Sequence, residues 1–170
     1  REKYGIQPFT DNAAAARQSD VVELAVKPQK LKRALASLKG VLRPGALVIS
    51  IVAGASIKTL QDGLDHTPVV RCMPNTPAQI GEGITVWTAS EGVSSDQLEL
   101  TRQILSALGV EVLVEEESYL DMATAVSGTG PAYVFLFMEA MIDAGVHLGF
   151  PRRISEQLVV QTIRGSVDYY

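Results

Sequence analysis

The sequence predicts an α/β fold in two parts: a mostly parallel, doubly wound sheet over residues 1–118 and an all-helical part over residues 119–170. Two observations predict it. Short apolar runs alternate with helix-like stretches as far as the acidic loop Glu115–Glu117, and parallel neighbours need crossovers of that kind. Beyond this loop the hydrophobic period changes and no further strand is recognisable.

Val21–Val26 is the first apolar run, and Pro28 is placed to open a helix behind it. That helix carries Leu31, Ala34, Leu35 and Leu38 on one face and meets Gly40 as a stop. Ala46–Val52 is a second strand, after which Ser56 can cap a short helix through Leu60. Val69–Met73, after Pro68, and Thr85–Ala89 are the third and fourth strands. A capping box, Ser94 to Gln97, starts a helix bearing Leu98, Thr101, Ile104, Leu105 and Leu108, with Gly109 closing it and Val110–Val114 as a fifth strand. In the second part, Pro131–Ala144 is apolar almost all round, so a helix buried on most sides and stopped by Gly145 is expected. A last helix from about Pro151 bears Ile154, Leu158, Val159, Thr162 and Ile163 and has no stop signal.

Composition narrows the class. With 170 residues, 46% hydrophobic and 20% charged, the chain has material for one good core and suits a soluble globular protein. No unbroken apolar run approaches the ~20 residues of a membrane span, and no signal peptide is visible. The net charge of -4, with Lys and Arg scattered, argues against nucleic acid as a partner. A lone cysteine, Cys72, excludes an internal disulfide and a cysteine zinc site, which points to a reducing compartment, cytoplasmic by default, with an organelle stroma fitting equally well. Neither a repeat nor a low-complexity segment is present.

In a doubly wound sheet a ligand lies beyond the carboxyl ends of the strands, so the residues just past each strand come first. Ala25-Val26-Lys27-Pro28 offers backbone groups, a cation and a rigid entry to a helix; taken alone it reads more simply as a solvated lysine in a helix-opening turn. Val52-Ala53-Gly54-Ala55 contains a glycine that would let a flat ring approach the backbone, against a plain strand-to-helix turn. Cys72-Met73-Pro74-Asn75-Thr76-Pro77 uses two prolines to stiffen a loop presenting Asn75 and Thr76, or is only a stiff loop. Ser127-Gly128-Thr129-Gly130-Pro131-Ala132-Tyr133 precedes a helix and suits close helix packing better than a ligand. His66 and His147 lack a second ligand at metal spacing and read as surface or packing residues, so no metal is expected. Glu115–Glu117 reads as a solvated loop, and Trp87 and Cys72 as core.

Together these segments resemble the pyrroline-5-carboxylate reductase family. The resemblance rests on Leu24-Ala25-Val26-Lys27-Pro28, Ala53-Gly54, Arg71-Cys72-Met73-Pro74-Asn75-Thr76-Pro77, Ser127 to Tyr133 and Gly149-Phe150-Pro151-Arg152, and runs in order from Gly5 to the end. It implies a Rossmann-like sheet, incomplete at its start, and a helical dimerisation domain, incomplete at its end. It also implies proline biosynthesis by hydride transfer from NADPH or NADH to a small-molecule cyclic imine, in a homodimer or higher homo-oligomer. By motif position, Asn12, Val26 and Lys27 would sit near the adenosine ribose and phosphates, Ala25 and Pro28 would also bind the cofactor, and Ala53 and Gly54 would lie on the nicotinamide side, with Asn75 at the pocket's closure. No residue is assigned to catalysis or to the substrate.

Three departures from the family pattern qualify that expectation. The glycine-rich phosphate turn should precede Arg1, the substrate-holding helices should follow Tyr170, and Glu23 stands where the family strand is apolar. An unpaired buried carboxylate is costly, so Glu23 needs a partner or an open face. Two alternatives follow. One is a catalytically incompetent oligomerising or nucleotide-binding module. The other is a β-hydroxyacid dehydrogenase-like enzyme, weakened because Pro131–Met138 lacks that family's lysine.

Overall fold

The computed structural model describes residues 5–170. Its contacts divide the chain into two units, Arg1–Gly128 and Thr129–Tyr170.

The first unit is built on a five-stranded sheet, β1 (Val21–Leu24), β2 (Leu47–Ser50), β3 (Val69–Met73), β4 (Gly83–Ala89) and β5 (Gly109–Leu113), in that spatial order. β1, β2 and β3 are mutually parallel, as are β4 and β5. β4 runs antiparallel to β3. Residues 74–82 form only a 3-10 turn, Thr76–Ile80, closed by Gly81 at φ 77; that link is shorter than the dozen or so residues a parallel crossover needs. The sheet is therefore mixed, where the sequence led us to expect a mostly parallel one.

Helices cover both faces. α1 (Asn12–Ala16), capped by Asp11, precedes β1 and has no counterpart among the elements expected from periodicity. α2 (Pro28–Leu38) opens on its proline and ends before Gly40 at φ 68. Ser56 caps α3 (Ile57–Leu64), which continues past Leu60 until Asp65 turns left-handed at φ 55. Leu31, Leu35, Leu38, Leu60 and Leu64 pack on Val48 and Val69 to form one core. On the opposite face α4 (Ser95–Ser106), started by the reciprocal Ser94–Gln97 box, contributes Leu105 to a core with Ile49, Val70, Cys72 and Trp87. Trp87 and Cys72 are thus core residues, as their strand positions suggested.

Two glycines allow β4 and β5 to start side by side. Gly83 pairs with Gly109, which sits at φ 127, and a Cβ on Gly109 would lie 2.2 Å from the Gly83 carbonyl oxygen. After β5 come α5 (Tyr119–Ala123) and a π-helical turn, Thr124–Gly128; α5 packs on β3 and β4 through the buried Leu120. The change of composition near residue 118 therefore precedes the change of contact partners after Gly128.

The second unit is a helical hairpin, α6 (Gly130–His147) and α7 (Arg152–Tyr169). Gly145 does not stop α6. It lies inside the helix, where a Cβ would come within 2.1 Å of Ser155 Oγ, and the chain turns instead at Gly149, φ 108. Ser155 donates to the Ile142 carbonyl at 2.8 Å, and Arg152 pairs with Asp143 at 3.0 Å and with Glu139. The expectation that α6 is buried on most sides fails within this unit: Tyr133, Val134, Phe135, Leu136 and Phe137 are all exposed and only Ile142 is buried. One partner helix can cover only one stripe of an all-round apolar helix. The helical stretch Tyr119–His147 is, by length and composition, long and apolar enough to cross a membrane, although polar residues interrupt its apolar run.

Candidate active site

The parallel register of β1, β2 and β3 sets the site. Leu24 pairs with Ser50 and Ser50 with Arg71, so the three carboxyl ends lie together along one edge of the sheet. Three connections leave that edge: residues 25–27, 51–56 and 74–82. They contain every candidate residue except Pro28, which opens α2, and Asn12.

In the first connection Ala25 and Lys27 are exposed, and Lys27 takes the cap position of α2 with extended backbone, φ -63 and ψ 144. Pro28 follows as the first helical residue and needs no hydrogen-bond acceptor for its nitrogen. Asn12, first residue of α1, meets Val26 across a cleft of about 330 Å³ that Lys30, Arg33 and Ser37 also line. A neighbouring cleft of about 180 Å³ is shared by Asn12, Val26 and Glu23. Asn12 and Val26 are therefore brought together, although most of α1 and all of β1 separate them along the chain.

In the second connection the buried Val52 and Ala55 bracket an exposed turn, Ala53-Gly54. Ala55 N–H donates to the Val52 carbonyl at 3.3 Å, and Gly54 takes φ 75. That is a turn geometry open to glycine at its third position. Nothing lies within 4 Å of where a Gly54 Cβ would stand, so a planar ring has room to approach. In the third connection Asn75 is half-buried, and its Oδ1 accepts from Ile84 N–H at 3.0 Å. This amide pins the 3-10 turn to the start of β4, which leaves its NH2 as the group available to a ligand. Lys27, Ala53, Gly54 and Asn75 are related by the strand register, each lying just past the carboxyl end of β1, β2 or β3.

Sequence reasoning missed a group beside this edge. Arg71, buried in β3, donates from Nη1 to Glu117 Oε1 at 2.8 Å and from Nη2 to Asp121 Oδ1 at 2.9 Å. Glu117 is thus no solvated loop residue. The available signal was Arg71 itself, a charge in the otherwise apolar run Val69–Met73, because a buried cation needs partners.

Other reactive groups are accounted for. Burial pushes the Cys72 thiol up to about 12, with the Glu23 charge adding to the rise, so no thiolate nucleophile forms near neutrality. Glu23 stands exposed on the edge strand β1, where its carboxylate remains hydrated. His66 donates to the Ala46 carbonyl at 2.6 Å and His147 to that of Asp143 at 3.0 Å. Among the described residues no His, Cys, Asp and Glu group forms a metal site. Ser127 donates to the Ala123 carbonyl, and Gly128 lies where a Cβ would meet Met73, so this glycine segment serves close packing. In the helical unit, a groove of about 760 Å³ is lined by Tyr133, Val134, Phe137, Met141, Ile163 and Val167. Its surface is almost wholly apolar, which suits packing more than chemistry.

A family model described as pyrroline-5-carboxylate reductase dimerisation matches residues 117–170, and one described as NADP oxidoreductase, coenzyme F420-dependent, matches residues 1–54. A pyrroline-5-carboxylate reductase from Synechocystis sp. is 46% identical over 169 residues, 99% of this chain and 62% of that relative. Along nearly its whole length this chain is similar to pyrroline-5-carboxylate reductases. The solved structure of the Coxiella burnetii pyrroline-5-carboxylate reductase superposes with a TM-score of 0.89 at 37% identity, covering 96% of this chain and 62% of that one. The Plasmodium falciparum pyrroline carboxylate reductase, crystallised with NADP bound, gives 0.89 at 38% identity over 94% of this chain and 61% of that one. The chain spans about three fifths of the length of the relatives it matches. These likenesses confirm the Rossmann-like sheet followed by a helical region, and they do not favour the β-hydroxyacid dehydrogenase alternative.

Proposed function

We propose that this chain works as part of a pyrroline-5-carboxylate reductase, converting 1-pyrroline-5-carboxylate to L-proline in the last step of proline biosynthesis. NADPH or NADH, when bound, supplies the hydride that adds to the imine carbon. The observation that carries this reading is the convergence of three strand ends and their connections on one sheet edge. The residues fit such a cofactor: Gly54 leaves open space beside an exposed turn, and Asn12 and Val26 line one cleft.

In this reading residues 1–118 form the dinucleotide-binding domain. Asn12, Ala25, Val26, Lys27 and Pro28 hold the adenosine ribose and phosphates, the Lys27 charge beside the α2 N-terminus attracting the anion. Ala53 and Gly54 support the nicotinamide, and Asn75 closes the pocket and helps to exclude water. Residues 119–170 form the dimerisation and substrate domain, which fits the exposed apolar face of α6. A second copy of the chain covering that face also accounts for the apolar stretch Tyr119–His147 without a membrane. The single buried cysteine fits a cytoplasmic enzyme.

The test is direct. Purified full-length protein mixed with NADPH and pyrroline-5-carboxylate is expected to consume the reduced nicotinamide and yield proline in equal amount. Folded protein that gives a flat trace with both NADPH and NADH overturns the reading and leaves the non-catalytic module in its place.

A further inference from the structure

We propose that Glu117, held by Arg71, is a positioning residue for the turn Val52–Ala55 that presents Ala53 and Gly54. This rests on the reductase reading for its functional consequence, although the geometry stands without it. One carboxylate oxygen, Glu117 Oε1, accepts from Arg71 Nη1 at 2.8 Å and from Ile57 N–H at 2.8 Å. Ile57 is the first residue of α3, so Glu117 satisfies an otherwise orphaned donor of that helix from sixty positions away in sequence. The local cap, Ser56, takes a different donor, Thr59 N–H at 3.1 Å.

The turn is thereby fixed at both ends. At its start Val52 N–H donates to Ser50 Oγ at 3.3 Å, and Ser50 is wholly buried in β2. At its finish the α3 entry is held by Glu117. Arg71 is the next strand's partner of Ser50 in register, so both anchors refer to the same row of the sheet. Arg71 is 6% exposed and also bonded to Asp121 on α5, which leaves its guanidinium little freedom to follow a moving loop. Charge-assisted hydrogen bonds of this kind are short and geometrically demanding. A local serine alone would cap α3; the remote carboxylate adds a fixed distance between the α3 entry and the sheet.

The consequence falls on hydride transfer more than on cofactor capture. Misplacement by about 1 Å can cost on the order of a hundredfold in rate, whereas Val26 and Lys27 lie on another connection and Asn12 on α1, away from the α3 entry that Glu117 holds. The experiment uses full-length protein carrying Glu117→Ala, which removes both bonds, and Glu117→Gln, which keeps an oxygen able to accept from Ile57. Glu117→Ala is expected to lower kcat by about tenfold or more, with the Kd of adenosine 2′,5′-bisphosphate changed by less than about twofold. Amide exchange should quicken over residues 52–58 and stay unchanged in β4, and Glu117→Gln should recover most of both effects. Unaltered exchange over residues 52–58, or quickened exchange with unchanged kcat, overturns the proposal. So does a fall in Tm alone, which marks a merely structural contact. A wild-type protein without reductase activity overturns the functional reading instead, and the exchange comparison still decides whether Glu117 fixes the turn.

Discussion

In residues 5–128 each face of the sheet has its own helices, and Val48, Val69 and Val70 are wholly buried between them. In residues 129–170 five successive large apolar side chains, Tyr133 to Phe137, stay exposed, and only Ile142, Ser155 and Val159 are buried. Such side chains contribute about 1.5–3 kcal/mol each on full burial, so the helical hairpin leaves much of its driving force unused. The difference teaches that apolar periodicity identifies a helix without saying who covers it. α2 buries one stripe on its own sheet; α6 carries apolar residues on every side and, within its own unit, is paired with one helix, α7.

If the first unit is self-contained, a fault in its backbone should unfold it whatever the second unit does. Gly109→Ala is the severest single test. Alanine at φ 127 is strained, and its Cβ would meet the Gly83 carbonyl oxygen at 2.2 Å, an atom that cannot swing away. The expected cost is about 3–5 kcal/mol, read as a lower midpoint in urea unfolding. A variant within about 0.5 kcal/mol of the parent would mean that β5 can be displaced, and the contrast between a closed and an open unit would weaken. On α6 the opposite result is expected. Leu136→Glu, at a side chain 73% exposed, should change stability by less than about 0.5 kcal/mol. The same change should shift the protein towards the monomer in light scattering, if a second copy covers this face. A large loss of stability without any change of mass would show that α6 is covered from within its own chain.

The same contrast governs what could be read from the sequence. In the first unit local rules and tertiary demands agree: Pro28 opens α2, Ser94 with Gln97 starts α4, and Cys72 and Trp87 alternate into the core. The antiparallel β4 was hidden because strand direction depends on the link, and residues 74–82 show only prolines and a turn. Gly145 was misread as a stop because a glycine inside a helix and one ending it look alike; the deciding atom, Ser155 Oγ, lies on another helix. Of the candidate site, the three connections were legible through their prolines and glycines, and Asn12 only through family resemblance. Arg71 was quoted within a motif but given no role. Its partners, Glu117 and Asp121, are more than forty residues further along the chain, and nothing local marks them.

The smallest expected effect concerns Cys72, which lies 2% exposed in the core facing α4. Burial is the main cause that lifts its thiol from the ordinary 9.0 to about 12, and the negative charge of Glu23 is the second. An acid whose pKa is raised on folding keeps its full contribution to stability while both states are neutral, below about 9. As pH rises beyond that value the unfolded thiol ionises and the folded one does not, so the contribution is lost progressively between about 9 and 12. Below pH 9, therefore, iodoacetamide should label Cys72 no faster than the protein unfolds, and denaturant should speed labelling in step with unfolding. Rapid labelling of native protein at pH 8 would show that the core under α4 opens locally, and the first unit would then lose its claim to be closed. Glu23→Gln isolates the lesser cause. Because Glu23 is exposed at the sheet edge, water and salt screen its charge, and the variant should move the onset of alkaline destabilisation by less than about half a pH unit. A larger shift would mean that the β1 edge is drier in solution than its exposure indicates.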